Sequence, residues 1–581
     1  MMNHTSATPL DGDHWGQIKV LIVDDQKSAA FILKHMMNEF GIEAVDIATS
    51  ESEAFNLCRM KSYSIIIVDF HLDGKINGCE LVDILVAQEL LPPDCGLMMI
   101  SGDHTVKTAM TVISSSVDEF LLKPVSSREL KEKLHRVYET VMLRRPIQKA
   151  LAEQGISQAI TVCKMQLGTY GYQFSLIQTL VELLIKNQDW QQIQRLLPVL
   201  KKHSQHPFIT RTEARLHYHQ GDFETATKLL EYLLRYSPLT IEAIDELVIY
   251  HESAGNLGHA FKYASKALAL TPRSCNRILS VFRLSATFHD TETLANLTRQ
   301  LAESLPLMND SWRYYLAECC ASIERTYSEY LARGTAPQYR HLVKTLVNRA
   351  RLKLPAPQKT IAIAYGYLTF SRLYLLEQNE EKARRCLMKA FARFFHEPGK
   401  LPADFLVKAI FPSLALGELY LATQLYAELE LKEKLCRVTF DDFHLIQHNE
   451  ALTSRILTLF DQVKEAHQLS FCHQQHSLSL YQQLLQDFPY SSEVNLGYLH
   501  CLLASRFLND QEIEATLRKL KAAPLPIPHH DWLMQLTEKY HQCGFHEHDN
   551  SDHQQSSELW QPAVDKARLL KLKARCENKE Q

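Results

Sequence analysis

The chain carries the sequence IKVLIVDD at residues 18–25, and this stretch decides the fold of its first part. A run that is apolar throughout is typical of a strand buried on both faces, as in a parallel sheet covered by helices. Further short strand candidates lie at 43–49, 65–68, 97–100 and 119–122, and segments with helical spacing of apolar residues separate them. Five strands alternating with five helices predict a doubly wound α/β domain with a five-stranded parallel sheet.

Four of the five predicted strands end in polar side chains, which are Asp24–Asp25, Asp69, Ser101 and Lys123. In this architecture ligands bind outside the carboxyl ends of the strands. Three carboxylates gathered there repel one another unless a cation lies among them, and their oxygens suit Mg²⁺. A lysine and a hydroxyl beside them favour phosphoryl transfer. We therefore predict that Asp69, at the end of the central strand, is a nucleophile that forms an acyl phosphate.

These residues resemble the receiver domain of two-component response regulators over about residues 19–141. The resemblance implies that Asp69 is the phosphoacceptor and that Mg²⁺ is held by Asp24, Asp25, Asp69 and the backbone carbonyl of His71. It also implies a switch role for Ser101 and Phe120, a contact between Lys123 and the phosphoryl group, and a cis peptide bond at Pro124.

The sequence departs from the family pattern near the phosphoacceptor. Leu72-Asp73 stands where the family often has Met-Pro or Leu-Pro, and the loop to Gly78 is one residue longer than usual. His71 and Asp103 occupy variable positions that the family uses to tune dephosphorylation. These departures concern the lifetime of the phosphoryl group, since every charge that the chemistry requires is present.

The later part of the chain contains markers at a period of 34 residues. The pairs Gly221/Gly255 and Ala226/Ala260 show this spacing, and Pro238, Pro272 and Pro306 continue it. Helix, glycine-containing turn, helix and proline at this period resemble the tetratricopeptide repeat, whose stacked helix pairs bind protein partners. The alternative is a non-repetitive helical bundle with coincident prolines.

These patterns predict the following organisation along the chain. We expect a disordered tail at 1–17, a receiver domain at 18–140 and a linker helix at 141–155. Helical repeats of the tetratricopeptide type follow at 156–400, clearest at 207–306, with degenerate repeats at 401–545 and a polar tail with a C-terminal helix at 546–581.

Composition narrows the class of protein. Only 19 of 581 residues are glycine, well below the usual ~7%, which favours helices over an all-β fold. A net charge of −4 argues against nucleic-acid binding. The 13 cysteines form no C-x-x-C pair, and no run of 18 apolar residues occurs, so we expect a cytoplasmic protein with reduced thiols and no membrane span.

The predicted function is that of a response regulator. Asp69 accepts a phosphoryl group from a sensor histidine kinase or a phosphotransfer protein, and phosphorylation gates the binding of an unidentified protein by the helical repeats. Two alternatives stay open: an antagonist or phosphate sink that binds a kinase or rival regulator, and a transcription or RNA regulator with a cryptic helical surface. We expect no enzymatic activity beyond the receiver's own phosphorylation and dephosphorylation, and a homodimer is left open.

Overall fold

The structure is a computed structural model, and it describes residues 18–73, 76–92, 94–113, 117–203, 206–288, 291–306, 311–331, 337–432, 449–470, 472–505 and 510–543. The predicted tails at 1–17 and 546–581 lie outside these residues. The described part divides into one compact unit that ends at Ser285 and a second that begins at Ala286.

The first unit opens with the predicted five-stranded sheet. Its strands are β1 (Val20–Val23), β2 (Val45–Ala48), β3 (Ile65–Asp69), β4 (Gly96–Ser101) and β5 (Glu119–Leu122). All are parallel, in the order β2-β1-β3-β4-β5. The prediction of a doubly wound α/β domain is therefore confirmed.

Helices cover both faces of this sheet. They are α1 (Lys27–Glu39), α2 (Glu51–Met60), α3 (Gly78–Ala87), α4 (Val106–Ile113) and α5 (Ser127–Gln154). Leu21 and Val23 belong to one apolar cluster, whereas Val20 and Ile22 belong to another. Because successive side chains of a strand point to opposite faces, the two clusters are the two sides of the sheet.

Capping residues start two of these helices. The Ser50 hydroxyl accepts a hydrogen bond from the Glu53 amide at the start of α2, and Ser126 does the same with Glu129 at the start of α5. Such caps satisfy amide groups that have no partner inside the helix.

Helix α5 runs without interruption from the sheet into the helices that follow. It has 28 residues, and its later half is tied back to the sheet by two ion pairs. Arg144 Nη1 lies 2.7 Å from Asp118 Oδ1, and Arg145 Nε lies 2.8 Å from Asp94 Oδ2. The receiver helix and the segment expected to link the domains are thus one element.

Eight further helices begin in the first unit. They are α6 (Ile156–Tyr170), α7 (Phe174–Lys186), α8 (Trp190–His203), α9 (Pro207–His219), α10 (Phe223–Tyr236), α11 (Ile241–Ser253), α12 (Leu257–Leu270) and α13 (Cys275–Phe288). We refer to α6–α13 as the first array.

The 34-residue period is visible in these helix boundaries. Helices α9, α11 and α13 begin at Pro207, Ile241 and Cys275, each 34 residues after the one before. Gly221 and Gly255 lie in the turns within two successive pairs and have φ angles of 83° and 74°. Glycine adopts this left-handed conformation without steric cost, so it fits the tight turn between paired helices. The predicted helical repeat is confirmed in this region.

The second unit is also helical. Its helices are α14 (Thr291–Ser304), α15 (Ser311–Leu331), α16 (Pro337–Lys353), α17 (Ala356–Leu376), α18 (Glu380–Phe391), α19 (Ala403–Ala415), α20 (Leu419–Leu431), α21 (Glu450–Leu469), α22 (Gln474–Asp487), α23 (Ser492–Ala504), α24 (Asp510–Lys521) and α25 (Ile527–Cys543). Helix lengths vary from 12 to 21 residues here, so the period is less regular. Among the described helices, none combines the length and the apolar character that crossing a bilayer requires.

Candidate functional site

The carboxyl edge of the sheet brings three aspartates together. Strands β1 and β3 are parallel neighbours with Val23 paired to Val68, so the residues that follow in register, Asp24 and Asp69, meet at the same edge. Carboxylate oxygens of Asp24, Asp25 and Asp69 lie within 4.8 Å of one another. Asp24 and Asp69 are buried and Asp25 is half-buried. The sequence predicted this grouping from the strand ends.

Lys123 bridges two of these carboxylates. Its Nζ donates hydrogen bonds to Asp24 Oδ2 at 2.9 Å and to Asp69 Oδ2 at 3.0 Å. Burial of the ammonium disfavours its charge, but the hydrogen bonds to the two aspartates outweigh this and raise the pKa of Lys123. The peptide bond from Lys123 to Pro124 is cis. Lys123 is therefore a fixed positive charge at the site.

Burial also acts on Asp69. It raises the pKa of this carboxyl above the ordinary value of 3.8, and the charges of Asp24 and Asp25 add to the rise, whereas Lys123 opposes it. Because one ammonium faces three carboxylates, the group carries excess negative charge when all three are ionised.

Two buried oxygens of the cluster show what kind of ligand fits. Asp25 Oδ1 and Asp69 Oδ1 have no hydrogen-bond partner among the described residues. Buried polar atoms normally have partners, because leaving one without costs free energy. Unpartnered carboxylate oxygens with excess negative charge fit a divalent cation with oxygen ligands, and Mg²⁺ is such an ion.

The two predicted switch residues lie on the strands beside this cluster. Ser101 ends β4, is fully buried, and its Oγ accepts a hydrogen bond of 3.0 Å from the Asp103 amide. Phe120 lies on β5, is half-buried and packs against an apolar cluster of the sheet. The Lys123 amide donates to the Ser101 carbonyl oxygen at 2.7 Å, which joins β4 to the residue after β5.

His71 and Asp103 lie at the mouth of the site. His71 Nε2 is 3.8 Å from Asp103 Oδ2, and the His71 side chain is exposed. Thr108 Oγ1 donates to the same carboxylate at 2.6 Å, and this bond, with others from Thr105, lowers the pKa of Asp103. The role of Thr108 was not predicted, because the sequence does not show that the start of α4 turns back onto Asp103.

Gly78 was expected only as a loop residue, and its contact with the site was missed. It is the first residue of α3, and its amide donates to the Phe70 carbonyl oxygen at 2.9 Å. A β-carbon at this position would lie 2.2 Å from the Asp69 carbonyl oxygen. The capping box formed by Asn77 and Glu80 is the sequence signal that would have placed the start of α3 here.

The domain that carries this site also contacts the first array. Helix α4 packs against α12. Glu80, near the start of α3, is close enough to Cys275 at the start of α13 to influence it electrostatically. Burial raises the pKa of the Cys275 thiol to about 12, and the charge of Glu80 adds to this.

A groove lies on the first array. Its volume is about 310 Å³, and residues of α11, α12 and α13 line it. Arg277 forms a two-pronged ion pair with Asp245, with distances from 2.7 to 3.2 Å, and Arg283 Nη2 lies 2.7 Å from Glu252 Oε1. These ion pairs join α13 to α11, which are the first helices of two successive repeats. They give the groove charged walls.

Comparison with known proteins identifies the first domain. Residues 20–135 match the family described as the response regulator receiver domain. The chain is similar to the two-component response regulator ARR14 of Arabidopsis thaliana, with 28% identity over 24% of this chain and 35% of that protein. It is also similar to the chemotaxis protein CheY homolog of Campylobacter jejuni, with 27% identity over 21% of this chain and 94% of that protein.

A solved structure matches a longer part of the chain. The match is to a chain in the crystal structure of the APC/C hetero-tetramer Cut9-Hcn1. The alignment covers 71% of the present protein and 99% of the Cut9-Hcn1 chain, with 12% identity and a TM-score of 0.26.

The family match covers residues 20–135, and the chain spans about a third of the length of the plant regulator that it resembles. The matched range contains the parallel sheet and the aspartate cluster bridged by Lys123. Residues 20–135 form a response regulator receiver domain, and a helical region follows it in the same chain.

Proposed function

We propose that this chain is a two-component response regulator whose Asp69 accepts a phosphoryl group from a sensor histidine kinase or a phosphotransfer protein. The observation that carries the proposal is the buried cluster of Asp24, Asp25 and Asp69 with Lys123 hydrogen-bonded into it. Similarity to response regulators from bacteria and plants supports it.

The chemistry follows from the charges around Asp69. A carboxylate oxygen of Asp69 attacks the phosphorus of a phosphohistidine, the P–N bond breaks, and the imidazole leaves as the acyl phosphate forms. Asp24, Asp25, Asp69 and the carbonyl of His71 would hold Mg²⁺, which supplies positive charge for the phosphoryl oxygens when bound. Lys123 supplies a further positive charge and Ser101 a hydroxyl donor.

We further propose that phosphorylation controls protein binding by the first array. The added phosphoryl group carries about −1.5 to −2 charges at pH 7 and attracts Lys123 and Ser101. Lys123 follows β5 and Ser101 precedes α4, so movement of the two residues displaces Phe120 and α4. Because α4 packs on α12, and α12 lines the groove, this displacement alters the surface offered to a partner.

The first experiment tests the phosphoacceptor. The full chain is incubated with acetyl phosphate and Mg²⁺, and hydroxylamine-labile phosphorylation is read by intact mass. Asp69→Asn should abolish the added mass of one phosphoryl group. Asp73→Asn, at an exposed carboxylate four residues along, should leave it unchanged. Equal labelling of Asp69→Asn and wild type would refute the assignment.

The second experiment tests the gating. Hydrogen–deuterium exchange is measured on the full chain with and without phosphoryl donor. Phosphorylation should change the exchange of peptides from α4 and from Leu257–Leu270, and Asp69→Asn should show no change. If exchange changes only around residues 69–73 and 101–103, phosphorylation does not reach the array and the gating proposal fails.

A further inference from the structure

Three polar side chains meet inside the second unit, far from the receiver domain in sequence. Glu418 immediately precedes α20, Glu493 lies in the first turn of α23 and His529 lies in the first turn of α25. Their relative exposures are 0%, 4% and 6%, and potential ligand atoms of the three residues lie within 4.8 Å of one another. Such burial of two carboxylates is rare unless something compensates their charge.

Hydrogen bonds hold the carboxylates in position but do not satisfy them fully. Glu493 Oε1 accepts from the Tyr420 amide at 2.7 Å, and Glu418 Oε1 accepts from the Ser492 amide at 3.1 Å. Glu418 Oε2 and His529 Nδ1 are buried and have no hydrogen-bond partner among the described residues. A carboxylate oxygen and an imidazole nitrogen without partners are thus left in one small buried region.

Arg384 compensates only part of the charge. Its Nε donates to Glu418 Oε1 at 2.8 Å and its Nη2 donates to the Ser492 hydroxyl at 2.9 Å. His529 Nε2 lies 3.8 Å from Glu493 Oε1, and burial of the ring lowers the pKa of His529, which disfavours its protonated form. One guanidinium facing two carboxylates leaves one negative charge without a counterpart when both carboxylates are ionised.

We propose that Glu418, Glu493 and His529 form a buried binding site for a divalent transition-metal ion. Two carboxylates and one neutral imidazole are a ligand set that suits Zn²⁺ and Mn²⁺. The ion would neutralise the remaining charge and give Glu418 Oε2 a partner. Because the three ligands belong to separate helices, the ion would crosslink α20, α23 and α25, and its role would be structural.

A proton shared between Glu418 and Glu493 is the competing way to neutralise the charge. Burial raises the pKa of Glu493 to about 7, so a proton is available to this pair near neutral pH. The two occupants differ in a measurable way, since a proton leaves the stability of the second unit insensitive to metal, whereas a bound ion raises it.

The experiment uses the full chain with Asp24→Asn and Asp25→Asn, which removes the receiver cation site. After treatment with EDTA and exchange into buffer at pH 7.5, Mn²⁺ is titrated and bound metal is counted by equilibrium dialysis. We expect one ion per chain with nitrogen coupling in pulsed EPR, and a rise in the melting temperature. Glu493→Gln and His529→Ala should remove the ion, whereas His530→Ala, at an exposed neighbouring imidazole, should retain it.

The chain with Asp24→Asn and Asp25→Asn is the parent of these variants. The proposal fails if this parent binds no Mn²⁺ or Zn²⁺, so that adding either metal leaves its melting temperature unchanged at pH 7.5 and at pH 6. It also fails if His529→Ala binds as much metal as the parent, or if the bound Mn²⁺ shows no nitrogen coupling. The nitrogen coupling is measured on the parent chain, so it decides the question even if the variants fold poorly. The outcome is independent of phosphorylation at Asp69.

Discussion

Gly78 lies so close to Asp69 that a β-carbon added at Gly78 would be 2.2 Å from the Asp69 carbonyl oxygen. This oxygen belongs to backbone and cannot move without moving the phosphoacceptor. We therefore expect Gly78→Ala to displace the end of β3, to slow phosphorylation by acetyl phosphate at least tenfold, and to lower the melting temperature of the receiver domain. The rate is measured by intact mass and the stability by thermal unfolding.

Gly102→Ala is the matched control for this substitution. Gly102 follows Ser101 on the same edge of the sheet, but a β-carbon there meets no atom within 4 Å. The Gly102→Ala variant should therefore be phosphorylated at close to the wild-type rate. Equal rates in Gly78→Ala and Gly102→Ala would show that close packing at Gly78 does not position Asp69.

The ion pair of Arg144 with Asp118 ties the extended half of α5 to the sheet. Asp118 is 13% exposed in its side chain, and its other oxygen accepts from the Leu97 amide at 2.9 Å. Arg144→Gln should reduce stability by about 1 kcal/mol and increase hydrogen exchange in 141–154. Arg145→Gln, at a pair whose arginine is 66% exposed, should have a smaller effect. If the two variants behave alike, the Arg144 pair does not anchor the helix.

The sequence could predict that these polar side chains meet at one edge of the sheet, because the residues follow local patterns. Asp24, Asp69, Ser101 and Lys123 each end an apolar strand or follow one, and parallel strands bring these ends to one edge. The cluster of Glu418, Glu493 and His529 could not be predicted in this way. Each residue occupies an ordinary position at the start of a helix, and only the packing of α20, α23 and α25 brings them together.

The repeat was predictable for a related reason, since a glycine at a fixed interval shows directly in the sequence. The contact of α4 with α12 was not predictable, because the two helices are more than 140 residues apart in the chain and only the tertiary packing brings them together. The need for glycine at position 78 could not be predicted either. It arises from the short distance between Gly78 and the Asp69 carbonyl oxygen, which the neighbouring residues in the sequence do not reveal.

The turn glycines of the array can be tested against a helical glycine. Gly221 has a φ angle of 83°, which costs an alanine about 1–2 kcal/mol. Gly168 lies within α6, where a β-carbon meets no atom within 4 Å, so alanine there should stabilise by roughly 0.5–1 kcal/mol. Urea unfolding of Gly221→Ala and Gly168→Ala should thus shift in opposite directions. A shift in the same direction for both would contradict the role of Gly221 in the turn.

His467 makes the stability of the second unit depend on pH. It lies in α21 near the rings of His500 and Trp532, with centroid distances of 6.1 Å to each. Burial, with a smaller contribution from His500, lowers the pKa of His467 to about 3 from an ordinary value of 6.5. The unfolded state therefore binds a proton that the folded state excludes, so the contribution of His467 to stability is full above pH 6.5 and is lost as the pH drops towards 3.

The slope from this one group should approach ~1.4 kcal/mol per pH unit between those limits. Urea unfolding followed at several pH values measures it. His467→Gln should flatten the dependence, because glutamine does not titrate, whereas His476→Gln, at an exposed histidine of α22, should keep the wild-type slope. If wild type and His467→Gln lose stability equally between pH 6 and pH 4, another group is responsible for the acid sensitivity.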